Sequence, residues 1–298
     1  MTAAVAEKSS EWGGELLDLD AYLRRVGFRG EPEATAETLR ALHRAHVASI
    51  PFENIDVMLR QVPALDVTSL QAKVVHRARG GYCHEHNLLF GAVLERCGFQ
   101  VDRLLGRIRM GVDRIRPRGH IVLRVRAGEG TWLADVGFGS EGPLEPLPFR
   151  DGATARQGDW SYQLVRVAGA QEDAWRLRTR HPEGWFDLYE FTTAPQHAVD
   201  FVAANHFTAT APMSPFTGSV IVQRMGPHAR ICLRDQDLTT TRHDGDEEHR
   251  RVPVEEYRKV LHTVFGVDID DDQVTGLRLE SRQGQDRRGQ RDLGAPAH

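Results

Sequence analysis

The sequence has little of what marks secreted, membrane-spanning or nucleic-acid-binding proteins. Its only cysteines are Cys83, Cys97 and Cys232, and an odd number in a chain of 298 residues predicts no disulfide framework. No apolar run approaches the roughly 20 residues that span a bilayer, and residues 1–12 lack the cationic start and apolar centre of a signal peptide. We therefore expect a cytoplasmic protein in a reducing setting, without a membrane partner.

Lysine and net positive charge are scarce as well. Of the 38 basic residues only Lys8, Lys73 and Lys259 are lysines, which we interpret as a compositional bias toward arginine rather than a binding patch. The formal net charge is −4, so the electrostatics give no reason to expect a nucleic-acid partner. With 40% hydrophobic residues the chain can build a core, and its length is typical of about two domains.

The spacing of apolar residues divides the chain into regions. Both ends, residues 1–14 and 280–298, are polar, and we expect them to be flexible. Over residues 16–98 the spacing is mainly helical, and one helix should begin at about Cys83 and end before Gly98, a favourable residue after a helix.

Beyond Gly98 the apolar period changes toward two, which is typical of strands. A block of consecutive strands after a block of helices favours an α+β fold with an antiparallel sheet or barrel. Further helices are expected over 195–205 and 254–265. The predicted strands are Val101–Ile108, His120–Arg126, Thr131–Val136, Tyr162–Val167, Trp175–Arg180, Trp185–Phe191, Val220–Arg224 and Ala229–Leu233.

The densest chemical signal is the segment Arg79-Gly-Gly-Tyr-Cys-His-Glu-His-Asn87. Its two glycines permit a tight backbone approach, and Cys83 follows them at the start of the predicted helix. The positive end of a helix dipole favours the thiolate, which is the nucleophilic form of cysteine. Cys83 is therefore the candidate nucleophile, whereas Cys97 and Cys232 lie among apolar residues and are interpreted as packing residues.

His120 and Asp135 complete a candidate catalytic triad with Cys83. His120 begins one predicted strand and Asp135 lies in the next, and an even loop centred between Ala127 and Gly128 would set the two residues directly opposite each other, with Cβ atoms about 4.5–5.5 Å apart. A carboxylate beside a histidine favours the imidazolium, which in turn holds a thiolate. The order Cys, His, Asp therefore predicts an activated nucleophile.

Two other interpretations of these residues stay open at this point. His120 can be an ordinary core histidine, and Asp135 a turn carboxylate. A metal site is the second alternative, but His84-Glu-His86 lacks the His-Glu-x-x-His spacing of zinc enzymes, and we expect no metal. The residues of a type that binds zinc are Cys83, His84, His86, His120 and Asp135.

Several separated motifs together resemble the arylamine N-acetyltransferases. Their order along the chain is that of the family, and the similarity covers about residues 16–275. The family's catalytic Cys, His and Asp match Cys83, His120 and Asp135. The motifs are segment 79–87, Ile50-Pro-Phe-Glu-Asn-Ile-Asp56, Asp135-Val-Gly-Phe-Gly139, Leu188-Tyr-Glu-Phe191, Ala211-Pro-Met-Ser-Pro-Phe216 and Phe265-Gly-Val267.

The resemblance implies a fold and a reaction. The fold is a helical domain over residues 15–100, a β-barrel domain over 101–205 and an α/β lid over 206–279, with the Cys-His-Asp arrangement of cysteine proteases. The reaction is a ping-pong acetyl transfer in xenobiotic metabolism, with acetyl coenzyme A as co-substrate and an arylamine or arylhydrazine as acceptor.

The resemblance also implies pocket residues. Phe52, Phe138 and Phe216 are expected to form substrate-binding walls, for which core packing is the alternative. Gly137 and Gly139 are expected to let backbone N–H groups approach the coenzyme. Aromatic amines are neutral at pH 7, so an apolar pocket can take them without desolvating a charge.

Two departures from the family pattern concern the acceptor and coenzyme contacts. The residue after the nucleophile is His84, where the family commonly has a large apolar side chain, and segment 110–118 is short and basic. A homodimer is an open alternative for the oligomeric state.

The triad alone leaves other functions open. Amide synthases that close a macrolactam from a carrier-bound thioester share it, and they are the alternative function. A thiol hydrolase or transglutaminase-like enzyme, and a non-catalytic protein that binds coenzyme A or an aromatic ligand, are further alternatives.

Overall fold

The structure is a computed structural model that describes residues 12–168 and 173–279. The predicted flexible tail over 280–298 lies outside the described residues, as do residues 1–11 of the predicted flexible N-terminus. No helix within the described ranges has the length and apolar character needed to cross a membrane.

The helices fall mainly before and after a central block of strands. Single 3₁₀ or π-helical turns at Gly14–Leu16, Ala72–His76 and Leu261–Phe265 supplement them. The α-helices are α1 Leu19–Val26, α2 Ala36–Ser49, α3 Ile55–Met58, α4 Val67–Gln71, α5 Cys83–Arg96, α6 Ala198–Thr210, α7 Pro215–Gly218, α8 Val254–Val260 and α9 Asp271–Gly276.

The strands make two antiparallel sheets. They are β1 Phe52–Glu53, β2 Gln100–Ile108, β3 His120–Ala127, β4 Gly130–Ala134, β5 Leu147–Pro148, β6 Ala153–Gln157, β7 Trp160–Arg166, β8 Ala174–His181, β9 Gly184–Thr192, β10 Ile221–Met225, β11 Ala229–Arg234, β12 Asp237–Arg242 and β13 Glu247–Arg251.

The first two helices have clear end signals. The Asp18 side chain caps α1 by accepting a hydrogen bond from the backbone N–H of Ala21, and Thr35 caps α2 in the same way. Gly27, with a φ of 72°, ends α1 in the left-handed region, and Pro51 follows the end of α2. These caps fix where the helices begin, while burial of their apolar faces supplies most of their stability.

Eight antiparallel strands form the central sheet, in the order β5-β4-β3-β2-β9-β8-β7-β6. The edge strands β5 and β6 lie against each other, so the sheet curls into a nearly closed barrel. Strand β3 is buried on both faces, because Ile121 and Leu123 pack against the helices whereas Val122 belongs to the core of the barrel. The α+β prediction with an antiparallel barrel is confirmed.

The β3–β4 hairpin differs from the prediction in its register. Ala127 pairs with Gly130, so the turn consists of the two residues between them and its centre lies one residue later than predicted. His120 and Asp135 are therefore diagonal neighbours, and the prediction that they lie directly opposite each other is wrong. The pairing is displaced by two residues, which keeps both side chains on the same face of the sheet.

A second antiparallel sheet, in the order β1-β10-β11-β12-β13, lies in the C-terminal part of the described chain. Its first strand comes from the helical region: Phe52 pairs with Gln223, and Glu53 pairs with Val222. Helix α8 and the π-helical turn after it pack against this sheet. Their shared apolar cluster includes Val220, Val222, Leu233, Tyr257, Leu261 and Phe265.

Candidate active site

Cys83 is the first residue of α5, as predicted, and the two glycines before it are required there. A Cβ atom on Gly80 would lie 2.1 Å from the carbonyl oxygen of Pro51, and one on Gly81 would lie 2.8 Å from the side chain of Glu85. Cys83 is buried, and its Sγ lies 3.7 Å from the carbonyl oxygen of Gly119. The close approach of the preceding backbone thus sets the thiol at a helix N-terminus that faces strand β3.

Behind this helix start lies a group of five buried or half-buried charges. Lys73 Nζ lies 2.7 Å from Glu85 Oε1 and 2.7 Å from Asp56 Oδ2, while Arg79 Nη2 lies 2.8 Å from Glu53 Oε1. Burial raises the pKa of Glu85 to about 7, although the neighbouring ammonium of Lys73 lowers it. The other oxygen of Glu85 accepts a hydrogen bond from the backbone N–H of Tyr82, so this charge network anchors the first turn of α5.

The structure brings His120 and Asp135 into direct contact. His120 Nε2 lies 2.7 Å from Asp135 Oδ2, and both side chains are buried. Burial lowers the pKa of His120, but the charge of Asp135 and its hydrogen bond outweigh burial and raise that pKa to about 10. Because Nε2 is taken by Asp135, the other ring nitrogen is the one available to Cys83, whose hydrogen bond raises the same pKa further. His120 thus lies between Asp135 and Cys83 in one buried array, and the catalytic role of the three residues stays a prediction.

Two further residues hold the carboxylate of Asp135. Asn87 Nδ2 donates to Oδ1 at 2.9 Å, and the backbone N–H of Gly137 donates to the same oxygen at 3.0 Å. These bonds and the charge of His120 keep the pKa of Asp135 below its usual value, although burial alone would raise it. A Cβ atom on Gly137 would lie 2.9 Å from the Cα of Cys83, so only glycine lets this loop approach the nucleophile so closely.

Aromatic rings surround the array. The ring centroid of Phe138 lies 5.2 Å from that of His120, and the centroid of Tyr189 lies 4.8 Å from it. Phe52 and Phe216 form a second pair, with centroids 5.7 Å apart. A cavity of about 20 Å³ beside Asp135 is lined by Phe52, Phe138, Gly139, His86 and Gln223, among others.

His84, which departs from the family pattern, is fully buried next to the nucleophile. Its ring packs 5.4 Å from the ring of Tyr82. Burial, helped by the charge of His120, lowers its pKa to about 3, so the ring is neutral. Across residues 12–168 and 173–279, no cluster of three or more His, Cys, Asp or Glu side chains is arranged to hold a metal ion.

Three residues that contact the array are not among the predicted site residues. Asn87 lies within the quoted motif and could have been suspected, because it follows Cys83 by one helical turn and shares its helix face. Tyr189 lies in β9, and the apolar pattern of that strand predicts an ordinary core residue at this position. His43, in α2, contacts the backbone of Asp135, and no local pattern links these two residues across the chain.

Comparisons with known proteins agree with this geometry. A family model described as N-acetyltransferase matches residues 35–274. The arylamine N-acetyltransferase of Mycolicibacterium smegmatis is 35% identical over 273 residues, covering 89% of this chain and 97% of the relative.

Solved structures agree as well. The arylamine N-acetyltransferase of Nocardia farcinica is 40% identical with a TM-score of 0.86, covering 94% of this chain and 98% of that one. An arylamine N-acetyltransferase of Mycobacterium marinum, solved in complex with CoA, is 33% identical with a TM-score of 0.79, covering 89% and 98%.

Proposed function

The chain belongs to the arylamine N-acetyltransferase family. We propose that it transfers the acetyl group of acetyl coenzyme A first to Cys83 and then from Cys83 to an arylamine or arylhydrazine. The acyltransferase class and the coenzyme co-substrate follow from membership in this family. The observation that supports the role of Cys83 is its position in one buried array with His120 and Asp135. The comparisons give no support to the alternative of a macrolactam-forming amide synthase.

In the first half-reaction, Cys83 exchanges one thioester for another. The Sγ thiolate attacks the acetyl carbonyl carbon, the bond from that carbon to the coenzyme sulfur breaks, and the departing thiolate takes the proton of the His120 imidazolium. The Asp135 carboxylate stabilises the imidazolium before the transfer and holds the ring in place. The product, acetyl-Cys83, is again a thioester, so the acetyl group stays reactive.

In the second half-reaction, the amine nitrogen attacks the carbonyl carbon of acetyl-Cys83. The new C–N bond forms, the C–S bond to Sγ breaks, and the proton lost by the amine passes to the neutral ring of His120. The imidazolium and the thiolate of Cys83 are thereby restored, and the amide leaves. One acetyl group moves per cycle, and no proton is gained or lost by the protein.

The aromatic surroundings favour the acceptor class. Phe52, Phe138 and Phe216 are proposed as walls for a flat, neutral arylamine, which loses no charge hydration when it enters. The same apolar rings keep water from the acetyl-cysteine and so slow its hydrolysis. Gly137 and Gly139 are proposed to lie along the coenzyme; the Gly137 N–H already donates to Asp135, so its contribution there is close packing rather than a free donor.

The domain boundaries, the location in the cell and the oligomeric state are also proposed. The division into domains over 15–100, 101–205 and 206–279 is supported by separate apolar clusters in the barrel and in the C-terminal sheet. The cytoplasmic location is supported by three cysteines that are all free thiols. A homodimer stays a prediction.

The test is product formation with defined acceptors. Purified protein, acetyl coenzyme A and aniline should yield acetanilide and one free coenzyme thiol per acetanilide. Without aniline, thiol release should stop after one equivalent per protein and continue only at the slow rate of hydrolysis. Release at the same rate without aniline would indicate a hydrolase and contradict the proposal. No release with acetyl coenzyme A, but release with longer acyl thioesters, would contradict the acetyl donor.

A further inference from the structure

One side chain that takes no part in the proposed proton transfers, His43, holds both ends of the loop that carries Asp135. His43 Nε2 accepts a hydrogen bond from the backbone N–H of Asp135 at 3.2 Å, and His43 Nδ1 lies 3.0 Å from the carbonyl oxygen of Leu144. A carbonyl oxygen only accepts, so Nδ1 carries the proton and Nε2 is free to accept from Asp135. Only the neutral Nδ1–H tautomer makes both bonds.

The surroundings of His43 keep it in this tautomer. The side chain is fully buried, with the ring of Phe90 edge-on at a centroid distance of 5.8 Å. Burial lowers the pKa of His43 to about 4, and the charge of Asp135 offsets this only in part. The imidazole is therefore neutral at the pH of catalysis and serves as a fixed donor–acceptor bridge.

The far end of the bridge is itself fixed to the barrel. The backbone N–H groups of Leu144 and Glu145 both donate to Oε1 of Gln157, at 2.7 and 3.0 Å. Gln157 ends strand β6. His43 thus connects helix α2, an anchored point of the barrel and the backbone of Asp135, and a shift of any one of the three is resisted by the other two.

The bond to Asp135 is not duplicated by other contacts. Asn87 and Gly137 hold the carboxylate of Asp135, whereas His43 is the partner of its backbone N–H. Asp135 also lies one residue beyond the end of β4, so its N–H is outside the regular ladder of the barrel. Without His43, the backbone of Asp135 would be held less firmly, and so would the carboxylate that contacts His120.

We propose that His43 is a positioning residue of the triad, which fixes the backbone of Asp135 and so the direction from which its carboxylate meets His120. The inference rests on the proposed function, because it assigns His43 a part in activating Cys83. It also makes helix α2, which contributes no member of the triad, a structural partner of the site. This role needs only the neutral imidazole of His43, and no further aromatic or acidic side chain on α2.

Two amide variants separate the two bonds of His43. In His43→Gln the amide lies near the position of Nε2 and can accept from Asp135, whereas in His43→Asn it lies near the position of Nδ1 and reaches only Leu144. We expect the Asn variant to lower kcat by about 10- to 100-fold with a nearly unchanged KM for acetyl coenzyme A, and the Gln variant to recover most of it. A loss that is equal in both variants would overturn the proposal.

A second readout does not depend on acetyl transfer. The rate at which iodoacetamide alkylates Cys83, followed by peptide mass across pH, reports on the thiolate directly, so it remains informative if acetyl transfer itself proves absent. The Asn variant should move the pH midpoint of alkylation upward by about one unit, because a displaced Asp135 favours the imidazolium less. An unchanged midpoint in that variant would contradict the positioning role.

His46 supplies the matched control. It is equally buried on the same helix, but its ring bonds to Tyr22 and His86 rather than to the triad. His46→Asn should lower the melting temperature and leave the midpoint of Cys83 alkylation where it is in the wild type. If it shifts the midpoint as far as His43→Asn does, the effect is general loosening of the core, and the proposal is wrong.

Discussion

The ammonium of Lys73 lies 2.7 Å from the carboxylate of Glu85, and both side chains are buried behind the helix start that carries Cys83. Lys73 also faces Asp56 and Glu53, at 2.7 and 3.7 Å. Three carboxylates thus share two cations, and the site tolerates them because each charge has a partner at hydrogen-bonding distance. The helix start that carries Cys83 is therefore supported by buried ion pairs rather than by apolar packing.

Removing Lys73 should destabilise the fold far more than removing a surface lysine. Lys73→Met leaves buried carboxylates with too few partners, and we expect the free energy of unfolding to fall by about 3–5 kcal/mol. Urea unfolding at pH 7.5 measures it. The control is Lys259→Met, at an exposed position of α8, which should change the free energy by less than about 0.5 kcal/mol. Equal effects of the two substitutions would contradict the account of this network.

Stability should decrease as the pH falls from neutral to about 4. Burial lowers the pKa of His43 and His86 to about 4 and that of His84 to about 3, and it lowers the pKa of His46 as well. Below about pH 6.5 the unfolded chain takes up protons at these histidines while the folded chain does not, so each contributes a loss of up to about 1.4 kcal/mol per pH unit.

Glu85 acts in the opposite direction, since its pKa of about 7 means that the folded chain binds a proton first. His120, whose pKa Asp135 raises to about 10, acts in the same direction as Glu85, because the folded chain already holds that proton at pH 7. The four buried histidines outweigh these two groups, so the net change is a loss. Urea unfolding at pH 7 and pH 5 tests the sign. A free energy of unfolding that is equal or higher at pH 5 would contradict it, and His84→Tyr should reduce the slope.

Asp135→Asn should disable Cys83 while leaving the fold nearly intact. The amide oxygen can still accept from Asn87 and Gly137, but the amide no longer favours the imidazolium, and burial then lowers the pKa of His120. We expect single-turnover acetylation by acetyl coenzyme A to slow by about 10³- to 10⁴-fold. Circular dichroism checks the fold. A slowing of less than tenfold would show that Asp135 does not set the state of His120.

Gly137→Ala should separate the Asp135 loop from the nucleophile. The added Cβ atom would lie 2.9 Å from the Cα of Cys83 and 2.8 Å from Nδ2 of Asn87, and the first of these is backbone that cannot turn away. We expect kcat/KM for acetyl coenzyme A to fall by about 10²-fold, as misplacement by about 1 Å does in other enzymes. Gly218→Ala, where a Cβ atom would meet open space, is the control and should retain wild-type kcat/KM.

Local patterns predicted the elements that carry the triad, but not how those elements meet. The helical spacing of apolar residues and the two glycines predict the start of α5 at Cys83, and the period of two in β3 predicts His120 at a strand end. The sequence predicts that His120 and Asp135 lie on the same face of the sheet, and a register shift of two residues leaves them there. The actual turn depends on a choice between neighbouring two-residue loops of similar composition, which the sequence does not decide.

Long-range contacts were beyond local reasoning. Strand β1 has only two residues, and its partner β10 lies far along the chain, so no periodicity marks it. The bond between His43 and Asp135 spans a separation of 92 residues and depends on how α2 packs against the barrel. Such contacts are set by tertiary packing. A pattern of apolar residues indicates which faces are buried, but not which residues meet there.

The most direct test of the account is the intact mass of the protein after brief incubation with acetyl coenzyme A and no amine. We expect a gain of one acetyl group that maps to Cys83, is absent in Cys83→Ala, and is lost again when aniline is added. An unmodified mass in the wild type, or an acetyl group that persists in Cys83→Ala or is not discharged by aniline, would contradict a transfer that passes through Cys83.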